Sequence, residues 1–402
     1  MTNESKESIF QPGQPVNPEQ FKGREEVLKE ILKYFPGVCS GKPEHFFITG
    51  KRGIGKTSLA NFIRDFAEKN HSMVTAHIMN DGVHTVDDLV IQVIERILNS
   101  IKPEKWSDKI LNVLTNNIES VGFSGFIIKF KPSSEELHNI KDNFAFYLND
   151  MVEQFEDKNG LFIVIDDING LSETPEFANW YKSFVDTLAT SIPKSRMCFM
   201  LTGYPEKFNK LHEQNPSVNR IFHVQELKAL SDDEVKLFYK DAFSLYDIKI
   251  DDDAMELMIK YSSGMPTMMQ HIGDAVYWGI NDDHITKKDA LMGILRAGEI
   301  IGLKYLQPIL DKRIRSKNYL SLFKKMGYEL AAKPDSPFTK NQFQNILNDN
   351  ELKVFNDFIR RARKLNIIEL SGSKKKGEYR FTNQLYPIYF FILTINDQEN
   401  LY

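Results

Sequence analysis

Residues 45–70, "HFFITGKRGIGKTSLANFIRDFAEKN", place a short apolar run, a glycine-flanked loop and a helix-like segment in direct succession. Within the loop, Gly50, Gly55, Lys56 and Thr57 stand at the spacing G-x-x-x-x-G-K-[ST]. Glycines there let the backbone turn its amides inward around phosphate oxygens, and the helix N-terminus adds its positive dipole end. Lys56 is placed to reach the β- and γ-phosphates, and the Thr57 hydroxyl to ligate Mg²⁺. The motif is short, so its context matters: a strand before it, and after it a helix with Leu59, Phe62, Ile63 and Phe66 on one face. The loop is read as a P-loop, its cradle formed by Gly50, Lys51, Arg52, Gly53, Ile54, Gly55, Lys56, Thr57 and Ser58.

A P-loop needs an acid at the end of a second strand to complete the shell around its metal ion. "FIVIDDING", residues 162–170, ends an apolar run with Asp166 and Asp167. Asp166 is the expected metal-associated acid, sharing Mg²⁺ with Thr57. Asp167 then sits beside the γ-phosphate, where it polarises an attacking water; a turn or helix-capping aspartate is its plainer alternative.

Further apolar runs recur between helical segments: residues 73–80, 197–203 and 220–227. Strands alternating with helices imply right-handed crossovers and a doubly wound parallel sheet with ligands at the strand carboxyl ends. The expected fold is α/β, a P-loop NTPase parallel sheet with a helical lid subdomain and a C-terminal winged helix. Its expected divisions are a flexible lead (1–17), the core (18–228), the lid (229–315) and the winged helix (316–402). Helical segments are expected at 85–101 and 106–118, and an inserted β-hairpin near 121–131, where Phe126, Ile128 and Phe130 alternate with other residues. The winged-helix reading rests on three helix-like segments, "KNYLSLFKKMGYEL", "TKNQFQNIL" and "ELKVFNDFIRRARKLNII". A strand, basic turn and strand follow in "IIELSGSKKKGEYRFTN".

Composition excludes several classes. The chain has 402 residues, 42% hydrophobic and 26% charged, as in ordinary soluble proteins. No apolar run approaches the roughly 18–20 residues that span a bilayer, and the N-terminus lacks a charged-then-apolar secretory pattern. Two cysteines, Cys39 and Cys198, each alone in its segment, argue against a disulfide framework and fit a reducing cytoplasm. Charge is uneven: residues 311–402 hold 17 Lys/Arg against 10 Asp/Glu, a net of +7, which leaves −11 for residues 1–310 of the chain's −4. The C-terminal excess is either a solvated surface or a face for nucleic acid.

With these pieces in order the chain resembles the AAA+-related ATPases of the origin-recognition initiator, archaeal ATPase and STAND groups, over roughly residues 18–395. "FKGREEVLKEIL", residues 21–32, looks like the h-x-G-R-E motif that lines the adenine side of the nucleotide. The resemblance implies nucleotide contact by Phe21, Gly23 and Arg24, with Glu25 completing the motif. It also implies a polar sensor at Thr202, which as a bare residue is equally a strand terminator. Arg220 resembles the finger that some relatives supply to a neighbouring subunit, and is otherwise a surface arginine. "SSGMPTMMQHIGDA" resembles the Gly-x-Pro segment of the lid, with Gly264 and Pro266; Gln270 and His271 stand where several relatives have an arginine. Asp167 also departs from the Glu common among these enzymes and implies slower turnover.

The expected activity is that of an ATPase using ATP and Mg²⁺, with Lys56, Asp167, Thr202 and Arg220 as its catalytic set. For the C-terminal module the expectation is contact with double-stranded DNA through Arg360, Arg361, Arg363, Lys374, Lys375 and Lys376. Such cations touch phosphates and give position more than sequence reading. The alternative is an internal switch element in a protein that self-assembles or binds protein partners without DNA; no membrane is involved.

Overall fold

The computed structural model describes residues 7–79, 83–100, 121–124, 127–155, 157–371 and 377–399. They divide into two units: Pro15–Lys228, and the described part of Met1–Gln14 together with Ala229–Tyr402.

The first unit is built on a five-stranded sheet of β1 (Glu44–Thr49), β2 (Val74–Met79), β5 (Leu161–Asp166), β6 (Met197–Gly203) and β7 (His223–Glu226). All pairs are parallel and the order is β2-β5-β6-β1-β7. The five expected strands are these five. Four of them read as near-continuous apolar runs because both faces are covered. The chain leaves β1 through α2 (Lys56–His71) for the far edge of the sheet and returns strand by strand. Consequently the carboxyl end of β1 lies where the strand order reverses, the place at which sheets of this topology bind ligands. Register sets the ends of the central strands level: Thr49 pairs with Gly203, and Ile165 with Leu201.

Helix α1 (Glu25–Leu32) precedes the sheet; α2 buries Leu59, Ala60, Ile63 and Ala67 against it. Helix α3 (Val86–Ser100) buries seven apolar side chains. A hairpin of β3 (Val121–Ser124) and β4 (Ile127–Phe130) follows, where one was expected. Phe130 is buried in the core and its N–H donates to Glu95 of α3 at 2.9 Å. Phe126 and the helix expected at 106–118 lie outside the described residues. Helix α4 (Pro175–Ser191) carries Tyr181, whose hydroxyl meets Nδ1 of His45 on β1 at 2.9 Å. His45 also stacks on Phe199. Burial, helped by the charge of His223, pushes its imidazole down to about 3.

The second unit begins with the helices α5 (Asp232–Ser244), α6 (Asp252–Ser262), α7 (Pro266–Gly279) and α8 (Lys287–Ile301), over the segment expected to form a lid. Three of the four open on acidic first turns, and α5 and α8 have complete capping boxes, from Ser231 with Glu234 and Thr286 with Asp289. Two-residue strands β8 (Lys249–Ile250) and β9 (His284–Ile285) pair beside them. Residues 7–14 are not the loose lead expected of them. Phe10 is buried against Phe238, Tyr239 and Phe243, and the Gln11 N–H donates to Gln270 Oε1 at 2.7 Å. One aromatic side chain with an apolar pocket is enough to dock a polar segment.

Helix α8 runs on through a π-helical segment (Gly302–Leu306) and a further turn (Gln307–Arg313). Then come α9 (Lys317–Leu330), a 3₁₀ turn (Lys340–Phe343), α10 (Asp349–Lys364), the antiparallel pair β10 (Ile368–Leu370) and β11 (Tyr379–Phe381), and α11 (Leu385–Glu399). The segment expected as the middle helix is only the 3₁₀ turn. Helix α11 had no forecast, since "LYPIYFFILTIND" is apolar nearly all round and shows no helical stripe. It is buried between α8 and α9, and glycines make room for it. A Cβ at Gly298, Gly302 or Gly327 would come within 2.6, 2.0 and 2.3 Å of Ile388, Tyr389 and Phe390. One helix thus joins the apolar core of α5–α8 to the C-terminal core.

Gly302→Ala is expected to destabilise the protein by about 1–3 kcal/mol through overpacking against the Tyr389 ring. Gly279→Ala, where the new methyl meets nothing within 4 Å, stays within about 0.5 kcal/mol; urea unfolding compares them. A second expectation concerns acid. The unfolded His45 imidazole takes a proton near its ordinary 6.5, the folded one only near 3. The unfolded state therefore binds more protons between these values, and stability falls as pH drops through that window, by about 1.4 kcal/mol per pH unit at most. His45→Phe flattens this dependence in unfolding curves taken at successive pH values.

Candidate functional site

The loop after β1 bends through Gly53 (φ 77°) and Gly55 (φ 94°), both in the left-handed region that disfavours a Cβ. Gly55 is the residue that caps α2. Lys56 opens that helix, and its ammonium donates to the carbonyls of Gly50 at 2.9 Å and Lys51 at 3.2 Å. It also lies 4.8 Å from the centre of the Tyr204 ring. Burial lowers the pKa of Lys56, against the opposing pull of Asp167, Asp166 and Glu206. Lys51 and Arg52 are exposed, Gly53, Thr57 and Ser58 half-buried, and Ile54 buried.

Arg24 is buried and left-handed at φ 62°. Its guanidinium donates to the Ile54 carbonyl at 2.6 Å, so the arginine braces the phosphate loop directly. Phe21 stacks on Phe62 of α2 with centroids 5.1 Å apart, and Gly23 sits before Arg24, also left-handed. The motif in "FKGRE" is thereby fixed to the loop and to the helix behind it.

Asp166 ends β5 and is buried. The Thr202 hydroxyl donates to its Oδ1 at 2.5 Å, and His77 Nε2 lies 3.2 Å from its Oδ2. Burial alone would raise the Asp166 pKa; hydrogen bonds from His77, Thr202 and Thr57 outweigh it and hold the carboxyl below its ordinary range. Asp167, the next residue, is exposed and left-handed at φ 65°. Its N–H donates to Thr202 Oγ1 at 3.0 Å, and its Oδ1 accepts from the Asn169 N–H at 3.4 Å. Asp167 is therefore a turn residue by geometry, with a carboxylate that acts electrostatically on Lys56 and Tyr204. Aspartate tolerates this conformation better than most residues.

The Thr202 hydroxyl has one hydrogen, which goes to Asp166, and one lone pair, which takes the Asp167 amide. Its second lone pair remains to accept from water. It cannot also donate to a phosphate oxygen while it holds Asp166.

Thr57 stands close enough to Asp166 for its side chain to help lower the carboxyl's pKa. A hydroxyl and a carboxylate are hard oxygen donors of the kind Mg²⁺ takes, with phosphate oxygens and waters filling its other positions. Among the described residues, no group of three His, Cys, Asp or Glu side chains is placed to hold a metal ion.

Other expected residues stand apart in their bonding. Arg220 is exposed and reaches Ser217 of its own turn at 3.4 Å. In the second unit, Pro266 opens α7. His271 on that helix is buried, and burial with the nearby Lys304 pushes it down to about 4. On α10, Arg360 is exposed and paired with Asp357 at 2.9 Å, Arg363 is exposed, and Arg361 donates to the Arg313 carbonyl at 3.1 Å. Lys374, Lys375 and Lys376 lie outside the described residues. No helix among the described residues is long and apolar enough to cross a membrane.

His77, Asn61 and Tyr204 were missed in the sequence. A signal for His77 existed: it interrupts "VTAHIM", an otherwise buried parallel strand.

The family model of the AAA ATPase domain matches residues 20–182. No curated protein matches the chain. Among solved structures, the ORC2 protein of Aeropyrum pernix in ADPNP–ADP complexes is 11% identical with a TM-score of 0.59, covering 98% of this chain and 100% of that one. The Walker-type ATPase of Pyrococcus abyssi is 14% identical, TM-score 0.53, with 97% and 99% covered. Cdc6p of Pyrobaculum aerophilum is 14% identical, TM-score 0.51, with 97% and 98% covered. At such identities the likeness is one of fold. The resemblance to AAA+-related P-loop ATPases of the origin-recognition type holds: in its matched core as an AAA ATPase domain, and in fold along nearly the whole chain.

Thr202→Val keeps the shape of the side chain but removes the donor to Asp166 and the acceptor for the Asp167 amide. It is expected to cost about 1–3 kcal/mol of stability. Thr202→Ser restores both, as unfolding curves will report.

Proposed function

We propose that this chain is a Mg²⁺-dependent, ATP-binding and ATP-hydrolysing switch whose nucleotide state is coupled to double-stranded DNA through a C-terminal winged helix. The observation that carries the ATP part is the meeting of Thr57 and Asp166 beside the loop that holds Lys56. The matched AAA ATPase domain supports the same reading. On binding, the loop amides and Lys56 take the phosphates, and Lys56 exchanges its two loop carbonyls for phosphate oxygens. Thr57 and Asp166 would hold Mg²⁺, which would supply neutralisation of phosphate charge. Asp167 accepts a hydrogen from the attacking water, and Thr202 accepts a second from it while fixing both aspartates. Phe21, Gly23, Arg24 and Pro266 serve nucleotide binding in this reading, and Arg220 is the residue offered to a neighbouring copy. Loss of the γ-phosphate then releases the state that ATP had favoured.

The order of α9, the 3₁₀ turn, α10 and the β10–β11 pair supports a winged-helix reading, and Arg360 and Arg363 are exposed on α10. The net charge of this module has the sign that duplex phosphates require. A second reading, an ATP-controlled signalling or defence switch that assembles with protein partners, is favoured by α11. That helix builds the C-terminal module and the lid into one unit, as an internal switch element needs.

Duplex binding measured with ATP, ADP and no nucleotide separates the two. The first reading expects binding that requires ATP, fails in Lys56→Ala, and weakens in Lys374/Lys375/Lys376→Ala. In the triple variant the log–log salt slope becomes shallower by about 0.9 per lost phosphate contact. No binding in any nucleotide state at low salt overturns the DNA part, and ATP-dependent assembly without DNA then supports the switch.

A further inference from the structure

Two buried histidines sit on parallel strands of the core unit and are bonded differently. His45 meets only the Tyr181 hydroxyl and leaves Nε2 without a partner, as a histidine serving packing can. His77 has both ring nitrogens engaged: Nδ1 lies 3.0 Å from Asn61 Oδ1, and Nε2 lies 3.2 Å from Asp166 Oδ2. Asn61 stands on α2 four residues after Thr57, one helical turn along the same face. The line Asn61–His77–Asp166 therefore ties the helix carrying the phosphate loop to the carboxylate at the end of β5, by way of β2.

The geometry points to His77, backed by Asn61, as a positioning residue that fixes the Asp166 carboxylate for Mg²⁺. This rests on the ATP reading above. An ionised carboxylate only accepts hydrogen bonds, so Nε2 carries the hydrogen that points at Asp166. Asn61 can present either its oxygen or its amide hydrogens to Nδ1, and so satisfies the ring in either state. With Thr202 on Oδ1 and His77 on Oδ2, each carboxylate oxygen has a fixed donor on the sheet side. Lone pairs are left over on both oxygens for the cation, whose other protein ligand in this reading would be Thr57. Donors behind a ligating carboxylate set its rotation, and removing one typically weakens metal binding about 10–100-fold. A leucine at position 77 fills the space but frees Asp166 to turn.

The test reads the cation rather than turnover. Affinity for a fluorescent, non-hydrolysable ATP analogue is measured in EDTA and across a series of free Mg²⁺ concentrations. For His77→Leu the Mg²⁺ midpoint is expected to rise about 10–100-fold, while affinity in EDTA stays within about twofold. Glutamine places an amide donor where Nε2 was, so His77→Gln recovers most of the midpoint; His77→Asn is too short and does not. Asn61→Leu shifts the midpoint the same way by a smaller factor, and adds nothing when combined with His77→Leu. A wild-type midpoint in His77→Leu overturns the inference, as does a glutamine no better than asparagine. Equal loss in EDTA also overturns it, because a packing role predicts that result. If His77→Leu does not fold, the Gln–Asn pair and Asn61→Leu decide alone. Failure of the wild type to bind the analogue at all overturns the ATP reading itself, and shows before any variant is made.

Discussion

A buried carboxylate is costly unless hydrogen bonds replace the water it gave up. Asp166 meets that condition with partners on both neighbouring strands, His77 on β2 and Thr202 on β6, and with Thr57 of α2 close by. The strand order makes this possible, because β5 lies between β2 and β6 and ends level with them. An order that parted β5 from β2 or β6 would leave the acid with fewer partners and a desolvation penalty of several kcal/mol to offset. The same order puts the phosphate loop beside it. Sheet topology, the charge state of Asp166 and the position of Thr57 are one constraint seen from three sides.

The loop itself is braced from behind. Arg24 donates to the Ile54 carbonyl, Phe21 stacks on Phe62, and Lys56 holds the carbonyls of Gly50 and Lys51. A glycine-rich turn loses much conformational entropy when it is ordered, and these contacts hold it ready for phosphate. Thr202 extends the brace to the other aspartate through the Asp167 amide. Left-handed geometry at Asp167 is strain kept at the place where the chemistry is proposed.

In the second unit the organising piece is α11. It contributes Leu385 and Ile388 to the core of α5–α8 and Tyr389 and Phe390 to the C-terminal core. Three glycines on α8, its π-helical continuation and α9 admit those side chains at distances no Cβ would allow. Division of the sequence at residue 315 follows the change in local pattern, whereas the packing unites both sides of it and adds residues 7–14 through Phe10.

Much of the core was legible because its information is local. The spacing of Gly50, Gly55, Lys56 and Thr57, the apolar runs of the five strands and the acidic pair at 166–167 are all properties of neighbouring residues. What the sequence left open was set by packing between distant segments. Nothing near His77 or Asn61 in the chain says that they will meet Asp166. That follows only from β2 pairing with β5. Nor does "LYPIYFFILTIND" announce a central helix, because a helix buried all round has no polar face to mark its period. Local propensity decided which elements form; burial, which acts only once those elements meet, decided which side chains share a site.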